Sequence, residues 1–462
     1  MLSKNNFPLV NKGASIKETM RIIDNTGLGV AFVIDENKSI FGAVTDGDIR
    51  RAILKGVSIE KAIESIANTN PIIIREDSKE SDIQDIRARG DLKGKISGGG
   101  SLKVPVIDEE RRIKDIVFIY KDKEYGFGGE LNLRKEGIKK VLVLGGAGYL
   151  GSVLCRELLN EGYKVRVLDN LSYGDDGISD LYQNKNFEFK KGDIRDISNV
   201  VDAIGGMDAV IHLAAIVGDP ACAADSKETL EINYFATKNI IETCKYFQIN
   251  RLIFASTCSV YGQNPSPDEK LTENSPLNPV SLYAETKIRC ERAILGAMDE
   301  NFSPIILRMA TLYGYSSNMR FDLAVNFLTA RAMFDKKMTI FGGEQWRPWL
   351  HLKDAAQVYI TCLKKPLEDV RGQILNVLSE NYRVFEVGNI INSICPEATI
   401  EISEKAGDKR NYNVSSDKIA RILDYRAEKK LVDGVNEIKE AIASGIIKGY
   451  KDPKYRTAAP QI

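Results

Sequence analysis

Short apolar runs alternate with longer amphipathic segments through the middle of the chain. The runs predict strands, and the segments between them have the spacing of helices that bury one face. The predicted strands lie at residues 141–144, 164–168, 187–190, 208–214, 251–256 and 304–309. Strands that alternate with helices in this way are typical of a parallel sheet with helices on both faces. We therefore predict an α/β fold with a Rossmann-type core.

The amino-terminal quarter of the chain has a different pattern, and this pattern is repeated. An apolar strand at 28–35, a polar turn and a second strand at 40–44 lead into Thr45-Asp-Gly-Asp48, which opens a helix. A second, less complete copy of this pattern has strands at 104–108 and 113–119. This internal duplication predicts a repeated α+β unit.

These patterns divide the chain into three segments. Residues 1–122 form the duplicated unit, and the charged, glycine-containing residues 123–139 predict a linker. Residues 140–462 form the third segment, in which the core of alternating strands and helices extends to about residue 309. The less regular sequence of 310–462 predicts a smaller carboxyl-terminal lobe that binds substrate.

Composition and charge exclude several classes of protein. With 462 residues, 43% of them hydrophobic, the chain can bury the cores of roughly two or three domains. Its 64 basic and 64 acidic residues balance, so no net charge attracts a nucleic-acid backbone. Seven cysteines without a CxxC pair, and only two histidines, argue against a zinc site or a disulfide framework. Without a signal peptide or a membrane-spanning run, we expect a cytoplasmic protein with no metal, no membrane and no nucleic acid as partner.

Three glycines follow the first predicted strand with the spacing GxxGxxG. Gly145 permits a tight turn, Gly148 lets a pyrophosphate approach the amides of the next helix, and Gly151 lets that helix pack close to the sheet. Asp169 ends the second strand, where a carboxylate accepts hydrogen bonds from both ribose hydroxyls and repels a 2′-phosphate. The sequence therefore predicts an NAD site. Asp193, after the third strand, either accepts from the adenine amine or caps the next helix.

A tyrosine and a lysine lie one helical turn apart further along the chain. Tyr283 and Lys287 are i and i+4 on a helix that begins near residue 280, so they share one face. An ammonium group and the positive nicotinamide ring favour the phenolate and move the pKa of Tyr283 toward the working pH. Thr257 ends the fifth predicted strand, at the edge where α/β enzymes bind ligands. These residues predict redox chemistry on a substrate that carries a hydroxyl group.

From residue 141 to about 450, the chain resembles an extended short-chain dehydrogenase/reductase of the NAD-dependent nucleotide-sugar epimerase/dehydratase group. The resemblance rests on the glycine turn, on Thr257, Tyr283 and Lys287, and on two further motifs, His212-Leu-Ala-Ala215 and Ile232-Asn-Tyr-Phe-Ala-Thr237. It implies that Thr257, Tyr283 and Lys287 are catalytic. The cofactor-binding residues that it implies are Gly145, Gly148, Tyr149, Leu150, Gly151, Asp169, Asn170, Asp193, Ile194, Leu213, Ala214, Ala215, Asn233, Tyr283 and Lys287.

The same resemblance implies a nucleotide-sugar substrate and a homodimer. Thr257 would contact the sugar, and Arg347 and Arg410 would clamp the diphosphate, a task that suits bidentate guanidinium groups. The alternative for either arginine is a surface ion pair. His212 is interpreted as a structural residue at a strand end.

The duplicated unit resembles a tandem CBS domain through Gly42-x-x-Thr45-Asp-Gly-Asp48-Ile-Arg-Arg51. The resemblance implies an adenine-nucleotide pocket, in which Thr45 contacts phosphate or ribose and Asp48 binds ribose hydroxyls. The alternative is that Asp46 and Asp48 only cap a helix. Because the second copy lacks this polar pair, we expect at most one nucleotide per CBS pair.

The residues after Thr257 narrow the reaction. The family's 4,6-dehydratases have Asp-Glu there, whereas this chain has Cys258-Ser259, and neither side chain replaces a strong base. Cys258 also lies one position before the place of the reactive cysteine in the family's 3,5-epimerases, which is Ser259 here. These differences favour 4-epimerisation through a transient ketosugar, with NAD regenerated in each cycle. Net dehydrogenation or ketoreduction, 4,6-dehydration and a non-catalytic regulatory protein that senses NAD or a nucleotide stay open as alternatives.

Overall fold

The computed structural model of the chain has two compact units, Met1–Glu136 and Gly137–Ile462. The residues that it describes are 7–26, 29–76, 78, 102–119, 124–127, 137–264, 266, 268–299, 301–403, 410–452 and 455. Part of the predicted second CBS copy and most of the predicted linker lie outside the described residues.

The first unit contains two small sheets. Its strands are β1 (Leu9–Asn11), β2 (Val30–Ile34), β3 (Ile40–Thr45), β4 (Ile74–Arg75), β5 (Leu102–Ile107), β6 (Ile113–Ile119) and β7 (Glu124–Phe127). Its helices are α1 (Ile16–Thr26) and α2 (Asp46–Leu54). The sheet orders are β1-β2-β3 and β4-β5-β6-β7. In each sheet a parallel pair is followed by an antiparallel pair, so the repeat predicted from the sequence is present in the structure.

The two hairpins of the first unit match in detail. Both register shifts fall just before the turn, at Val33/Ile34 and at Val106/Ile107. Both turns contain a residue with positive φ, which is 63° at Lys38 and 62° at Arg111. β7 lies inside the segment predicted as a linker, because Glu124-Tyr-Gly-Phe127 pairs antiparallel with β6. The predicted linker is therefore wrong at its start.

The second unit is built around one large parallel sheet. Its strands are β8 (Lys140–Leu144), β9 (Lys164–Asp169), β10 (Phe187–Lys191), β11 (Ala209–His212), β12 (Arg251–Thr257), β13 (Lys270–Leu271), β14 (Ile305–Met309), β15 (Thr311–Tyr313), β16 (Lys337–Phe341), β17 (Trp346–His351), β18 (Ile374–Val377), β19 (Glu380–Arg383), β20 (Thr399–Ser403) and β21 (Asn413–Val414). Seven of them form the sheet in the order β10-β9-β8-β11-β12-β14-β18. All pairs in this sheet are parallel, which confirms the Rossmann-type prediction.

Helices cover both faces of this sheet. They are α3 (Tyr149–Asn160), α4 (Ile197–Ile204), α5 (Asp219–Ala224), α6 (Ser226–Thr229), α7 (Ala236–Tyr246), α8 (Leu282–Gly296), α9 (Ala324–Phe334), α10 (Leu352–Lys364), α11 (Leu367–Val370), α12 (Val384–Ile394), α13 (Asp417–Leu423) and α14 (Leu431–Ala443). One core cluster packs α3 and α10 against one face, and a second packs α4, α7 and α8 against the other. The apolar side chains of both clusters are largely inaccessible to water. Burial of this apolar surface supplies most of the free energy that holds such layers together.

The carboxyl-terminal lobe is formed by the smaller sheets and by α9, α12 and α14. Its core cluster includes Trp349, Val387 and Leu431, each at most 1% exposed. The lobe does not simply follow the core along the chain, because β18 returns to the large sheet beside β14. Within the described residues, none of the helices has the length and apolar character that crossing a membrane requires.

Candidate active site

A cleft of about 890 Å³ opens where the strands of the large sheet end. The predicted site residues that line it are Gly145, Gly148, Tyr149, Leu150, Gly151, Asp169, Asn170, Asp193, Ile194, Leu213, Ala214, Ala215, Thr257, Tyr283, Lys287, Arg347 and Arg410. Parallel strands end at one edge of the sheet, so residues far apart in sequence converge there. The fold therefore brings the glycine turn, the tyrosine–lysine pair and both arginines into one cavity.

The glycine turn has the shape that a phosphate group requires. Gly145 has a φ of +81°, and a Cβ on it would lie 2.7 Å from the backbone nitrogen of Ala214. A Cβ on Gly151 would collide with the carbonyl oxygen of Gly145. Helix α3 begins at Tyr149, and its N-cap residue Gly148 provides no side-chain hydrogen bond to the first amides. These amides are therefore available to an anion in the cleft.

Asp169 lies at the end of β9 and is fixed by two backbone amides. Its Oδ2 accepts from the amide of Ala147 at 3.0 Å, and its Oδ1 accepts from the amide of Leu171 at 2.8 Å. Burial raises the pKa of this carboxyl group, and the two amides act in the opposite direction. A carboxylate held in this way keeps further lone pairs for a diol, so the residues present fit the ribose of NAD.

Asp193 also lines the cleft, but it is already engaged. Its Oδ2 lies 2.7 Å from Nη2 of Arg195, and this hydrogen-bonded pairing lowers the pKa of the carboxyl group. Its Oδ1 accepts from the Arg195 backbone amide at 2.8 Å. A turn-forming role is therefore visible, and contact with the adenine amine stays a prediction.

Asn233 lies behind the wall of the cleft. It belongs to a π-helical turn, Leu230–Phe235, and its Oδ1 accepts from the amide of Ile216 at 2.8 Å. Its Nδ2 donates to the carbonyl of the same residue at 2.9 Å. The side chain thus holds the backbone that lines the cleft, although it does not itself reach the cavity. Single-turn π-helices of this kind are common at functional sites.

His212 is a structural residue, in agreement with its interpretation from the sequence. The side chain is 1% exposed, and its Nε2 lies 3.0 Å from the hydroxyl of Thr237. Burial, and then the positive charge of Lys287, lower its pKa to about 3. The ring is therefore neutral at physiological pH and does not act as an acid.

Tyr283 and Lys287 line the cleft together with Thr257, which is the last residue of β12. The Lys287 ammonium lies 5.8 Å from the centre of the Tyr283 ring and donates to the carbonyl of Ala255 at 2.8 Å. The hydroxyl of Thr257 accepts from the Ser259 amide at 3.1 Å, which fixes its rotamer. The three catalytic candidates therefore line the same cleft as the glycine turn.

Burial dominates the electrostatics of this centre. It raises the pKa of Tyr283, while Arg320 and the hydrogen bond with Thr257 act to lower it. Burial also lowers the pKa of Lys287, to about 8. Among the protein's own groups, desolvation of the phenolate outweighs the groups that lower the pKa of Tyr283. The expectation that cationic neighbours favour the phenolate also includes the positive nicotinamide ring of NAD, so it stays a prediction.

Arg320 is a cleft residue that sequence reasoning missed. Its guanidinium contacts the Asp322 carboxylate at two points, 3.0 Å from Nε and 2.5 Å from Nη2. Both residues line the cleft, in the segment that precedes α9. The only sequence signal was an arginine and an aspartate two positions apart in a largely apolar stretch, which has no specific meaning alone.

The two predicted substrate arginines lie on the lobe side of the cleft. The Arg347 guanidinium stacks 5.4 Å from the centre of the Tyr412 ring and donates to the Trp346 carbonyl at 2.8 Å. Nη1 of Arg410 lies 3.3 Å from the hydroxyl of Ser259 and 3.5 Å from a carboxylate oxygen of Asp219. Arg347 is therefore held rigidly, whereas Arg410 bridges the lobe and the core.

The residues after Thr257 differ in exposure. Cys258 is 1% exposed, its thiol lies 3.2 Å from the Arg308 carbonyl, and burial raises its pKa far above the physiological range. Ser259 lines the cleft. Neither residue supplies a carboxylate or a reactive thiolate to the cavity.

In the first unit, Thr45 and Asp48 contact each other. The Thr45 hydroxyl donates to Oδ2 of Asp48 at 2.6 Å, and the Asp48 amide donates to the Thr45 hydroxyl at 3.2 Å. Oδ2 also accepts from the Thr45 amide at 2.9 Å, which completes a capping box at the start of α2. Oδ1 pairs with Arg51 at 2.7 Å. The structure therefore contains the helix cap that the sequence indicated as the alternative to a nucleotide site.

Known proteins share both units. The NAD dependent epimerase/dehydratase family matches residues 141–377, and the CBS domain matches residues 2–55. An uncharacterized UDP-glucose epimerase of Bacillus subtilis is 32% identical over 65% of this chain and 96% of its own length. A UDP-glucose 4-epimerase of Lactobacillus helveticus is 27% identical over 68% of this chain and 99% of its own.

A solved structure supports the same assignment. UDP-glucuronic acid 4-epimerase from Bacillus cereus, in complex with UDP-glucuronic acid and NAD, is 27% identical with a TM-score of 0.59. The similarity covers 65% of this chain and 99% of that one. The residues that the family matches, 141–377, include the glycine turn and the tyrosine–lysine pair described above. The chain is thus an enzyme of the NAD dependent epimerase/dehydratase family and carries an amino-terminal CBS domain.

Proposed function

We propose that this enzyme epimerises a nucleotide sugar, most simply at C4, through a transient ketosugar. The proposal is supported chiefly by one observation: Thr257, Tyr283 and Lys287 share the cleft with the glycine turn. Tyr283 takes the proton of a sugar hydroxyl while the same carbon gives up a hydride, so that a ketone forms. The ketosugar turns within the site and regains the hydride on its other face, and Tyr283 returns the proton.

The residues of the cleft suit NAD as the resident cofactor. The uncapped amides in the first turn of α3 would bind its pyrophosphate, Asp169 would bind the adenosine ribose, and Lys287 would bind the nicotinamide ribose. When bound, NAD supplies the acceptor and donor of the hydride. Since both steps use the same cofactor molecule, no net oxidation or reduction results.

The substrate class follows from the arginines on the lobe side of the cleft. Arg347 and Arg410 carry the positive charges that a diphosphate needs, and both line the cleft. The relatives named above act on UDP-glucose and UDP-glucuronic acid, which makes UDP-sugars the first substrates to test.

The lining residues argue against 4,6-dehydration. Among the described residues that line the cleft there is no glutamate, and the carboxylates of Asp219 and Asp322 are paired with Arg410 and Arg320. The residues at 258 and 259 are a buried thiol and a hydroxyl. Elimination of water across the sugar ring requires a base and an acid at the neighbouring carbons in addition to the tyrosine. Epimerisation needs only the groups that are present.

The test is incubation of the purified full-length protein with UDP-, GDP-, CDP- and dTDP-sugars, with products resolved by NMR. An epimer that accumulates without reduced nicotinamide in the absorbance spectrum supports the proposal. Net appearance or consumption of reduced nicotinamide would instead indicate a dehydrogenase or ketoreductase. A product that has lost water would indicate a dehydratase.

The matched variant is Tyr283→Phe, which keeps the ring and removes the hydroxyl. Removing a general base lowers turnover by about 10²–10⁴-fold, so we expect a loss of that size with NAD affinity unchanged. Affinity for NAD is measured by calorimetry on the same preparations. Unchanged turnover in this variant would contradict the proposed role, and a protein that binds NAD and converts none of the sugars would favour a sensor.

Three further expectations remain predictions within this proposal. The first is an adenine nucleotide at Thr45 and Asp48, which would have to displace the capping box described above. Calorimetry with AMP, ADP and ATP tests it, and no heat with any of them would exclude it. The second and third are a cytoplasmic location and a homodimer.

A further inference from the structure

A buried ion pair lies directly behind the reacting centre. Glu291 on α8 and Arg308 on β14 are 4% and 3% exposed in their side chains. Nε of Arg308 lies 3.0 Å from Oε1 of Glu291, and Nη2 lies 2.8 Å from Oε2. Neither residue lines the cleft, so the pair does not touch substrate or cofactor.

The ion pair connects the helix of the tyrosine and lysine to the strand of the threonine. The Ser256 hydroxyl, on β12, donates to Oε1 of Glu291 at 2.5 Å. One helical turn earlier, Lys287 donates to the carbonyl of Ala255, also on β12. Helix α8 is therefore attached to two adjacent residues of β12, and the next residue of that strand is Thr257.

Further contacts hold the ion pair from the opposite side. Nη1 of Arg308 lies 3.0 Å from the Tyr261 hydroxyl, which itself lies 2.7 Å from Oδ1 of Asn376 on β18. The network thus joins α8, β12, β14, β18 and the turn after Thr257. Burying two charges is costly, and apolar side chains of similar volume often stabilise a core equally well. A stabilising role alone therefore does not explain why charges occupy this place.

We propose that Ser256 and Glu291 are positioning residues, which hold Lys287 and Tyr283 at the working distance from Thr257. The inference rests on the proposed function, because it takes Tyr283 as the proton acceptor. A misplacement of about 1 Å in a reacting centre can reduce turnover about 10²-fold. A helix attached to its neighbouring strand at two consecutive residues restricts displacements of that size.

The main test is Ser256→Ala, which removes one hydroxyl and leaves the ion pair in place. Its matched control is Ser303→Ala. The Ser303 hydroxyl is also buried, has no hydrogen-bond partner among the described residues, and lies just before β14 at the other end of the sheet. Both variants are compared as full-length, NAD-loaded protein.

Two readouts separate positioning from stability. The first is carbon-13 NMR of protein labelled at tyrosine Cζ, with the Tyr283 signal identified by its absence in Tyr283→Phe. In Ser256→Ala we expect Tyr283 to titrate about one pH unit higher than in the parent protein, because Lys287 is less well placed. The second is turnover, expected to fall about tenfold while KM and NAD affinity change less than about twofold. Ser303→Ala should change neither readout.

A second pair of variants tests the charged residues. Glu291→Gln leaves a buried guanidinium without its anion and should lower thermal stability. The double variant Glu291→Gln/Arg308→Gln removes both charges, so it should regain stability but not the turnover or the Tyr283 titration of the parent. Glu285→Gln is the control on the same helix, since this residue is exposed and only weakly paired with Arg289 at 3.9 Å.

The outcomes are decisive in both directions. Parent-like titration and parent-like turnover in folded Ser256→Ala and in the double variant would overturn the inference. If the parent protein converts no nucleotide sugar, the proposed function fails, but the Tyr283 titration still decides whether these residues position the phenol.

Discussion

Two helices of this protein begin with motifs that suggest nucleotide binding, and they begin in opposite ways. Helix α2 in the CBS domain has a complete capping box, in which Thr45 and Asp48 satisfy each other and the first amides. Helix α3 in the epimerase unit has Gly148 at its N-cap and no side-chain hydrogen bond there. The first helix end is filled by its own residues, whereas the second is left open to an anion.

A short polar motif at a helix start can either bind a ligand or cap the helix. A threonine and an aspartate at a helix start are chemically suited to phosphate and ribose, but they are equally suited to each other. A glycine cannot cap with a side chain, so its presence at the start of α3 favours a ligand. In this molecule Gly148, which has no functional side chain, is therefore a stronger indication of a bound ligand than Thr45 and Asp48.

Converting one helix end into the other gives the largest expected effect. The backbone at Gly148 has an ordinary φ of −73°, and a Cβ there would contact only the Gly145 carbonyl, at 3.5 Å. Gly148→Asp should therefore fold, cap α3 and place a negative charge where the pyrophosphate binds. We expect NAD affinity to fall roughly 10²–10³-fold, because like charges brought together cost several kcal/mol.

Gly148→Ser is the matched control for that substitution. It adds a neutral cap of similar size, so it should reduce NAD affinity less than the aspartate and raise thermal stability slightly. Calorimetry with NAD measures the affinity of each variant, and thermal unfolding measures its stability. Equal affinities for the aspartate and serine variants would show that steric occlusion, not charge, decides binding at this helix end.

The second prediction concerns the carboxylate on the neighbouring strand. Asp169→Ala should reduce NAD affinity roughly 10- to 100-fold, since hydrogen bonds to a charged group contribute about 1.5–3 kcal/mol. The same change should allow some binding of NADP, because the carboxylate no longer repels a 2′-phosphate. Titration with both cofactors measures the ratio, and a parent-like ratio would contradict the assignment of Asp169.

The third prediction uses pH to test the burial of the reacting centre. Burial lowers the pKa of Lys287 to about 8, so its ammonium is present below that pH and is lost above it. Turnover should decline by about tenfold for each pH unit above this point, because the neutral amine no longer favours the phenolate of Tyr283. Lys287→Arg stays charged and should move the decline to higher pH. A decline that does not move would belong to another group.

The smallest effect is expected in the CBS domain. Asp48→Ala removes the capping box and should lower stability by about 1 kcal/mol, with turnover and NAD affinity unchanged. Burial alone would raise the pKa of Asp48, but its bonds with Thr45 and Arg51 lower it. The cap therefore contributes fully above the ordinary value of 3.8 and is lost as the pH falls below it. Thermal unfolding at pH 7 and pH 3 measures the difference between variant and parent.

A second possible outcome is that Asp48→Ala no longer shows the heat of binding that the parent protein shows with AMP at pH 7. It would show that Asp48 binds a nucleotide in addition to its role in the cap. A variant that only unfolds at lower temperature would leave the capping box as the whole role of this pair.

The sequence predicted the large sheet well, for a physical reason. Strands buried on both faces, such as β8, β11 and β14, read as continuous apolar runs. All six predicted strands match β8 to β12 and β14 closely. β18 was missed because it has only four residues, one of which is the buried Asn376. The glycine turn and the tyrosine–lysine pair could be found because their spacing is fixed by local backbone geometry.

Other parts of the site could not be predicted from local patterns. The Arg308–Glu291 pair depends on how the chain folds back, whereas the Arg320–Asp322 pair is local, and no spacing rule marks either of them as part of a site. The capping box was weighed as an alternative, but the choice required the observed rotamers. The effect of burial on the pKa of Tyr283 could not be predicted either, because neighbouring cations are visible in a sequence, whereas the extent of burial is not.

The position of β18 has a consequence for anyone who exchanges modules among these enzymes. The chain leaves the large sheet after β14, builds part of the lobe, and comes back to add the outermost strand before leaving again. A lobe grafted from a relative would therefore need two further splice points, one on either side of β18, in addition to the cut near residue 310. A single-cut chimera would bring a foreign edge strand with it, and the host β14 would have to accept that strand as its neighbour.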